Sequence, residues 1–337
     1  MKRNVVVFGG GGFVGWHLIK ALRNKNYKVI PVDVVKRVGV VKGNILDFNT
    51  CMKFCKDVDI VIHLAGELPY AGWKRELKKG TMWDIMVNGT ENVLEACLQN
   101  KVKKVIYFSS SAVYGNPPPY PLKEDAQHAP LDEYGKAKSQ AEILCKEYME
   151  KGLDMTIIRP MTILGPNFVG ILRSMMEFIY NGKRVPIIGD GSNKIQLIHI
   201  DDLIDATVKI IENPKSKNEI FNITSDVNEM PTVKEELVEL CNYANTGSKV
   251  WSLPSWFVRP ILKFTSIIGK ATMGKEIYTL ADKTFLTDNN KAKKLLNWKP
   301  KYGNLDALKA GYDWFSKEHD KAKPNLSLPL KIAMAIL

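Results

Sequence analysis

"VVVFGGGGFVGWHL" (5–18) joins an apolar run to an amphipathic one through four consecutive glycines. The apolar residues before Gly9 read as a buried strand, and the periodicity after Gly12 opens a helix. Gly9, Gly12 and Gly15 fall in a GxxGxxG spacing at that turn, with Phe13 and Val14 between the last two. Glycine permits a tight turn and close approach of another backbone or of a ligand. A structural glycine turn would show the same pattern, so the surrounding chain has to decide its purpose.

Working outward, the first 160 residues alternate between short apolar runs and helical stretches. "NVVVFG" (4–9), "YKVIPVD" (27–33), "DIVIHLA" (59–65), "KKVIYFSS" (103–110) and "DMTIIRP" (154–160) read as strands. Helices are expected near 13–24, 48–56, 81–99 and 132–151. Strands that are apolar throughout, alternating with helices, predict a parallel sheet covered on both faces. After Pro160 the pattern loosens: helices near 168–181, 201–212 and 232–245 mix with short strands around 195–198 and 219–223. The expected division is 1–160 as a dinucleotide-binding domain and 161–324 as a smaller substrate domain, open to interleaving with the first. An apolar tail, 325–337, follows.

In that setting the glycine turn has a chemical reading. A pyrophosphate can sit on the N-terminus of the helix that the turn opens. Asp33 ends the next strand, where a carboxylate accepts hydrogen bonds from ribose hydroxyls and repels a 2′-phosphate, favouring NAD over NADP. Arg37 lies near enough to leave that preference open. Farther on, "DEYGKAKSQAE" (132–142) sets Tyr134 and Lys138 four residues apart, so a phenol and an ammonium share one helix face. An ordinary surface pair has the same spacing.

Bulk properties narrow the class. A length of 337 residues with 45% hydrophobic and 25% charged residues fits a globular chain with a sizeable core. The net charge of +12 is mostly scattered lysine, which reads as a solvated surface, with an anionic ligand or membrane next and no nucleic-acid partner expected. Cys51, Cys55, Cys97, Cys145 and Cys241 form no CxxC and no zinc-type spacing, so packed thiols, a reducing compartment and no metal site are expected. The start imitates a signal peptide, but the glycine run spoils a helical apolar region. No segment holds eighteen uninterrupted apolar residues, so no membrane span is expected.

The ordered motifs resemble the extended short-chain dehydrogenase/reductase superfamily, in its NAD-dependent epimerase/dehydratase branch. They comprise the glycine turn, "GNILD" (43–47), "HLAG" (63–66), "NGTENVLEAC" (88–97), "FSSSAVYG" (108–115) and "YGKAKSQAE" (134–142). "IIRPMTILGP" (157–166), "GDGSNKIQLIHIDDL" (189–203) and "LNWKP" (296–300) complete the series, so the resemblance covers nearly the whole chain. It implies an α/β fold, a Rossmann-type doubly wound parallel sheet with a smaller C-terminal α/β substrate domain, and NAD as cofactor.

The resemblance makes Tyr134 the acid/base, tuned by Lys138, which also holds the nicotinamide ribose. A phenol near pKa 10 needs cationic neighbours to act as a base at neutral pH. Ser110, four residues before Tyr114, is the third member, with Ser111 as fallback and Ser109 as structural. Asn44 stands where the family has Asp on the adenine, beside Ile45; Leu64, Ala65 and Gly66 would line the cofactor path. His63 reads as packed, Asn88 as ordering its helix and a water, and His199 as structural, with Asp201 or Asp202 capping the next helix.

The same comparison bears on the reaction. Members that dehydrate or decarboxylate carry an acid two residues after the catalytic Ser/Thr, and Ala112 stands there. Thr162 replaces the Asn of RPxN, and Ile195 replaces a diphosphate-binding Arg, a role Lys194 would take in shifted register. Ser110, Ser111, Thr162 and Lys194 are therefore the candidate substrate contacts. In 255–270, Phe257, Ile261, Phe264 and Ile268 form one helical stripe, and Arg259, Lys263, Ser266 and Lys270 another. Pro260 would kink or shorten that helix. With the 325–337 tail, the stripe suggests peripheral membrane contact, and hence a lipid-linked sugar.

The expectation is a cytoplasmic NAD-dependent epimerase, membrane-associated on the inner face if those segments bind lipid. It acts on a nucleotide- or lipid-linked sugar through a transient keto intermediate, and the resemblance implies a homodimer through paired helices of the first domain. The rivals are a dehydrogenase/reductase that releases its product, a non-catalytic dinucleotide sensor, and a membrane-surface scaffold.

Overall fold

The structure, a computed structural model, describes residues 3–66, 81–115, 118–167, 170–228, 230–267 and 279–319. Along the first half run β1 (Asn4–Phe8), α1 (Phe13–Asn24), β2 (Lys28–Asp33), β3 (Val41–Lys42), α2 (Phe48–Cys55) and β4 (Ile60–His63). A short α3 (Thr81–Trp83) leads through a π-helical turn, Asp84–Asn88, into α4 (Gly89–Gln99). Then come β5 (Lys104–Phe108), a 3-10 turn (Ser111–Tyr114), α5 (Glu133–Glu150) and β6 (Met155–Pro160).

Seven parallel strands form the main sheet in the order β10-β6-β5-β4-β1-β2-β3, where β10 is Glu219–Ile223, the Rossmann-type doubly wound arrangement. The inner strands β1, β4, β5 and β6 are buried along nearly their whole length because both faces are covered, whereas the edge strand β3 is exposed. In β1, Val5 and Val7 pack with Leu18 and Leu22 of α1, and Val6 and Phe8 pack with Val93 and Leu94 of α4 on the other face. Four of the five cysteines, Cys51, Cys55, Cys97 and Cys145, are buried free thiols in that second core.

The second half supplies β7 (Thr162–Leu164), α6 (Arg173–Tyr180), β8 (Val185–Ile188), β9 (Leu197–His199) and α7 (Ile200–Glu212). These are followed by β10 (Glu219–Ile223), α8 (Val233–Ala244), β11 (Val250–Leu253), α9 (Ser255–Ile267), α10 (Asn290–Leu296) and α11 (Asn304–His319). β10 returns to the main sheet and pairs with β6, Ile220 opposite Ile157. β7 with β9 and β8 with β11 form two separate parallel pairs. Around them a third core gathers Met176, Phe178, Leu237, Leu240, Tyr312 and Phe315.

The strand order reverses at β1, which lies between β2 and β4. Open α/β sheets bind ligands in the crevice outside the carboxyl ends of strands at such a switch point. The glycine turn after β1 and residues 64–66 after β4 both lie there.

Candidate active site

The glycine turn is built for close approach. Gly9 has φ +84°, and a β-carbon on it would stand 2.6 Å from the Ala65 nitrogen. One on Gly15 would stand 2.6 Å from the Gly9 oxygen, so the helix start packs directly on the turn. Gly9 and Gly10 both donate to the Val32 carbonyl, at 2.9 and 3.1 Å. α1 begins after Gly12 with no side-chain cap and no acidic residue in its first turn. A helix N-terminus of this kind favours an anion. Phe13 and Val14 are partly buried against the core.

Asp33 lies against this turn. Its Oδ2 accepts from Gly11 N at 2.9 Å and its Oδ1 from Val35 N at 3.0 Å, so the carboxylate anchors the loop it borders. Asn44 spends part of its amide oxygen on Leu46 N, at 3.0 Å, leaving one lone pair for another donor. Ile45 is almost fully buried, and a β-carbon at Gly89 would stand 2.6 Å from its Cδ1. It is chiefly a packing residue between that loop and α4.

Tyr134 is the second residue of α5. Asp132 caps the helix, accepting from Gly135 N at 2.9 Å. Tyr134 packs on Met86, Val87 and Ala137, so the π-helical turn backs the phenol. Lys138 follows one turn later and is 5% exposed. Its Nζ donates to the Phe108 carbonyl at 2.7 Å and lies 5.0 Å from the centre of the Tyr107 ring. Burial lowers its pKa to about 8, an effect that nearby Cys145 and Glu142 only partly offset. A β-carbon on Gly66 would stand 3.6 Å from this nitrogen, so the ammonium borders the loop that Gly9 touches.

Ser110 leaves β5 in extended backbone, and its Oγ accepts from Ala112 N at 3.2 Å. Ser111 is buried. Ser109 donates its hydroxyl to the buried Glu142. The structure therefore brings the Ser110 turn, the Tyr134–Lys138 face and the Ala65–Gly66 loop together at one end of the sheet.

Glu142 and Arg159 lie within the motifs 134–142 and 157–166, which by themselves mark neither for a role. Glu142 accepts from Arg159 Nε at 2.9 Å and from Arg159 Nη2 at 2.5 Å, with both side chains at most 1% exposed. The available signal was spacing: Tyr134, Lys138 and Glu142 repeat at i, i+4 and i+8 on α5.

Thr162 is half-buried in β7, opposite Leu197. Lys194 lines a groove of about 610 Å³ with Met230, Pro231, Glu235, Glu236, Glu239 and Leu305, none of them in the Ser110–Tyr134–Lys138 group. His63 is fully buried, 2.9 Å from the Thr90 hydroxyl, and Asn88 donates to Asp84 at 3.0 Å.

The α7 cap is His199 itself, whose Nδ1 accepts from Asp201 N at 3.2 Å, which corrects the expected aspartate cap. Asp202 instead accepts from Lys301 N and Tyr302 N, at 3.0 and 2.9 Å. A buried carboxylate reached by two backbone donors holds a distant loop better than it caps its own helix.

Of the proposed membrane stripe, α9 runs through Pro260 rather than stopping at it, because intrahelical bonding on either side tolerates one missing donor. Arg259 turns inward to Asp282. Trp256 is 78% and Phe257 55% exposed. The side chains of Ile261, Lys263, Phe264 and Ser266, residues 268–270 and the 325–337 tail lie outside the described residues. Among the described residues no helix is long and apolar enough to cross a membrane, and no His/Cys/Asp/Glu group could hold a metal ion.

Residues 5–224 match the model of the "NAD dependent epimerase/dehydratase family". A UDP-glucose 4-epimerase of Vibrio cholerae is 28% identical, over 89% of this chain and 92% of that one. A relative named for a lipid-linked sugar, the N-acetyl-alpha-D-glucosaminyl-diphospho-ditrans,octacis-undecaprenol 4-epimerase of Escherichia coli O157:H7, is 29% identical over 66% of this chain and 67% of that one. The crystal structure of UDP-glucuronic acid 4-epimerase from Bacillus cereus, in complex with UDP-glucuronic acid and NAD, is 25% identical. It superposes with a TM-score of 0.74, covering 94% of this chain and 100% of that one.

Proposed function

Because the chain belongs to the NAD dependent epimerase/dehydratase family and is an NAD-dependent enzyme, we propose that it inverts a carbinol centre of an activated sugar through a transient keto form, with Tyr134, Lys138 and Ser110 as catalytic residues. The observation that carries this reading is the meeting of three segments, the Ser110 turn, the Tyr134–Lys138 face and the Gly66 loop, beside a glycine cradle.

The residues present fit the cofactor. Gly9 and Gly15 let the turn pack tightly on the Ala65 backbone and on itself, and α1 opens after Gly12 with the uncapped N-terminus that suits a pyrophosphate, with Phe13 and Val14 at its start. Asp33 would take the adenosine ribose, Asn44 and Ile45 the adenine side, and Leu64, Ala65 and Gly66 the path towards Lys138. Bound NAD supplies the hydride chemistry that oxidises the carbinol and reduces the ketone from its other face.

The protein's own part is proton control and positioning. Tyr134 as phenolate would take the substrate hydroxyl proton and return it after the ketone has turned. Lys138, held by the Phe108 carbonyl, places a cation on the same helix face and lowers the cost of the phenolate. Ser110 Oγ accepts from Ala112 N, which leaves its own O–H to donate to the substrate oxygen. Ala112 brings no acid beside the sugar, which favours epimerisation over dehydration or decarboxylation.

The relatives act on nucleotide-linked and undecaprenol-linked sugars by name. The exposed Trp256–Phe257 pair, rings at 5.9 Å, favours a lipid-linked substrate met at the inner face of the cytoplasmic membrane. Thr162 and Ser111 would add sugar contacts. Lys194 would serve the diphosphate only by turning out of its acidic groove. The proposed assembly is a homodimer through helices of the first domain, with 161–324 covering the substrate.

The test gives wild type and Tyr134→Phe NAD and a panel of UDP-linked and polyprenyl-diphosphate-linked hexoses, with chromatographic separation of products. A stereoisomer formed without net NADH, and absent with the Phe variant, is expected. Stoichiometric NADH would make the protein a dehydrogenase instead.

A further inference from the structure

We infer that Glu142 is a positioning residue that holds the Ser110 turn in register with Tyr134 and Lys138. The inference rests on the reading that Ser110 and Tyr134 act on the substrate. Glu142 shares their helix face, two turns beyond Tyr134 and one beyond Lys138. It reaches the turn from both ends. Ser109, the residue before Ser110, donates its hydroxyl directly to Glu142. At the other end, Arg159, paired with Glu142, donates through Nη1 to the Tyr114 hydroxyl at 2.7 Å. Tyr114 donates onward to Asn222 at 2.7 Å, and Arg159 also meets the Glu124 carbonyl at 2.9 Å and His128 Nε2 at 2.8 Å. Residues 109–114 are therefore gripped at both ends by one ion pair, with Ser110 between the grips.

Stability alone is a weak account of this pair. Desolvating two charges costs about as much as their attraction returns, and well-packed apolar residues of similar volume often do as well. Apolar residues, however, cannot fix a neighbouring hydroxyl by direction and distance. A misplacement on the order of 1 Å can cost about 100-fold in rate.

The experiment uses Ser109→Ala, which removes one grip and leaves the Glu142–Arg159 pair whole, Ser109→Thr, which keeps a hydroxyl, and Tyr134→Phe. Glu142→Gln is added if it folds. The readouts are kcat and KM for the sugar that the panel identifies, the Kd for NAD, and hydrogen–deuterium exchange of peptides covering 109–115. For Ser109→Ala, kcat should fall roughly 10- to 100-fold, with KM and the NAD Kd unchanged and exchange in 109–115 faster. Ser109→Thr should recover most of the rate. Wild-type kcat in Ser109→Ala, or unchanged exchange in 109–115, overturns the inference. An active Tyr134→Phe would overturn the catalytic reading instead, so the two failures separate.

Discussion

Gly135 lies so close to the 3-10 turn that a β-carbon on it would stand 2.7 Å from the Ala112 carbonyl oxygen. This gap lets the first turn of α5 rest on the turn that carries Ser110, and it places Tyr134 beside that serine's segment. Gly135→Ala should push the two apart at a cost of about 1–3 kcal/mol. The rate should fall at least ~10-fold while NAD binding holds, because only the helix–turn spacing changes. Thermal melting, NAD titration and steady-state kinetics on one preparation check this, and an unaltered kcat would refute it.

The activity should have an alkaline limb set by Lys138. Its pKa lies at about 8 in the folded protein, against 10.5 for an ordinary lysine, chiefly because the side chain is buried. The cation that favours the Tyr134 phenolate is therefore present below about pH 8 and is lost above it. The rate should fall as pH rises through that value, and Lys138→Met should be slow at every pH, with no limb. The sign for stability follows from the same depression. The cost of burying the charge is relieved as pH climbs from about 8 to 10.5, so Lys138 lowers stability at neutral pH and the fold gains stability across that window.

Acid should destabilise the fold partly through His63. Thr90 donates its hydroxyl to the Met86 carbonyl at 2.7 Å, so the 2.9 Å contact to His63 Nε2 has the imidazole donating. Burial, with Lys138 adding to it, lowers the His63 pKa from 6.5 to about 3. A depressed folded pKa contributes stability that is present above 6.5 and lost as pH falls towards 3, by up to ~1.4 kcal/mol per unit. Urea unfolding at pH 7 and pH 4.5 should show a smaller acid loss in His63→Leu than in wild type. An equal loss would remove His63 from the account.

Cofactor choice should turn on Asp33. Both of its oxygens already hold the loop through Gly11 N and Val35 N, which leaves their remaining lone pairs to accept from the hydroxyls of a ribose without a 2′-phosphate. Asp33→Ser should weaken NAD binding by about 10-fold and bring NADP within reach, since the charge that repels a 2′-phosphate is gone. Fluorescence titration with both dinucleotides decides it. Unchanged discrimination would shift attention to Arg37.

The sequence by itself determined what rests on neighbours along the chain. Apolar strands alternating with helices specify a doubly covered parallel sheet. The glycine spacing after β1 specifies a helix N-terminus that can receive a phosphate. Tyr134 and Lys138 share a face because helical pitch puts i and i+4 together. Only the tertiary structure decided what rests on residues far apart in the chain. β10 joins the main sheet beside β6 through pairing across some sixty positions, Ile220 with Ile157. Asp202 leaves the helix cap to His199 because two backbone donors arrive from Lys301 and Tyr302. The network of Ser109, Glu142, Arg159, Tyr114 and Asn222 assembles from four separate segments, and Lys194 finds itself among glutamates of α8. The reason is physical: local geometry follows from covalent connectivity and hydrogen-bond periodicity, whereas burial chooses a buried polar group's partner from the whole fold.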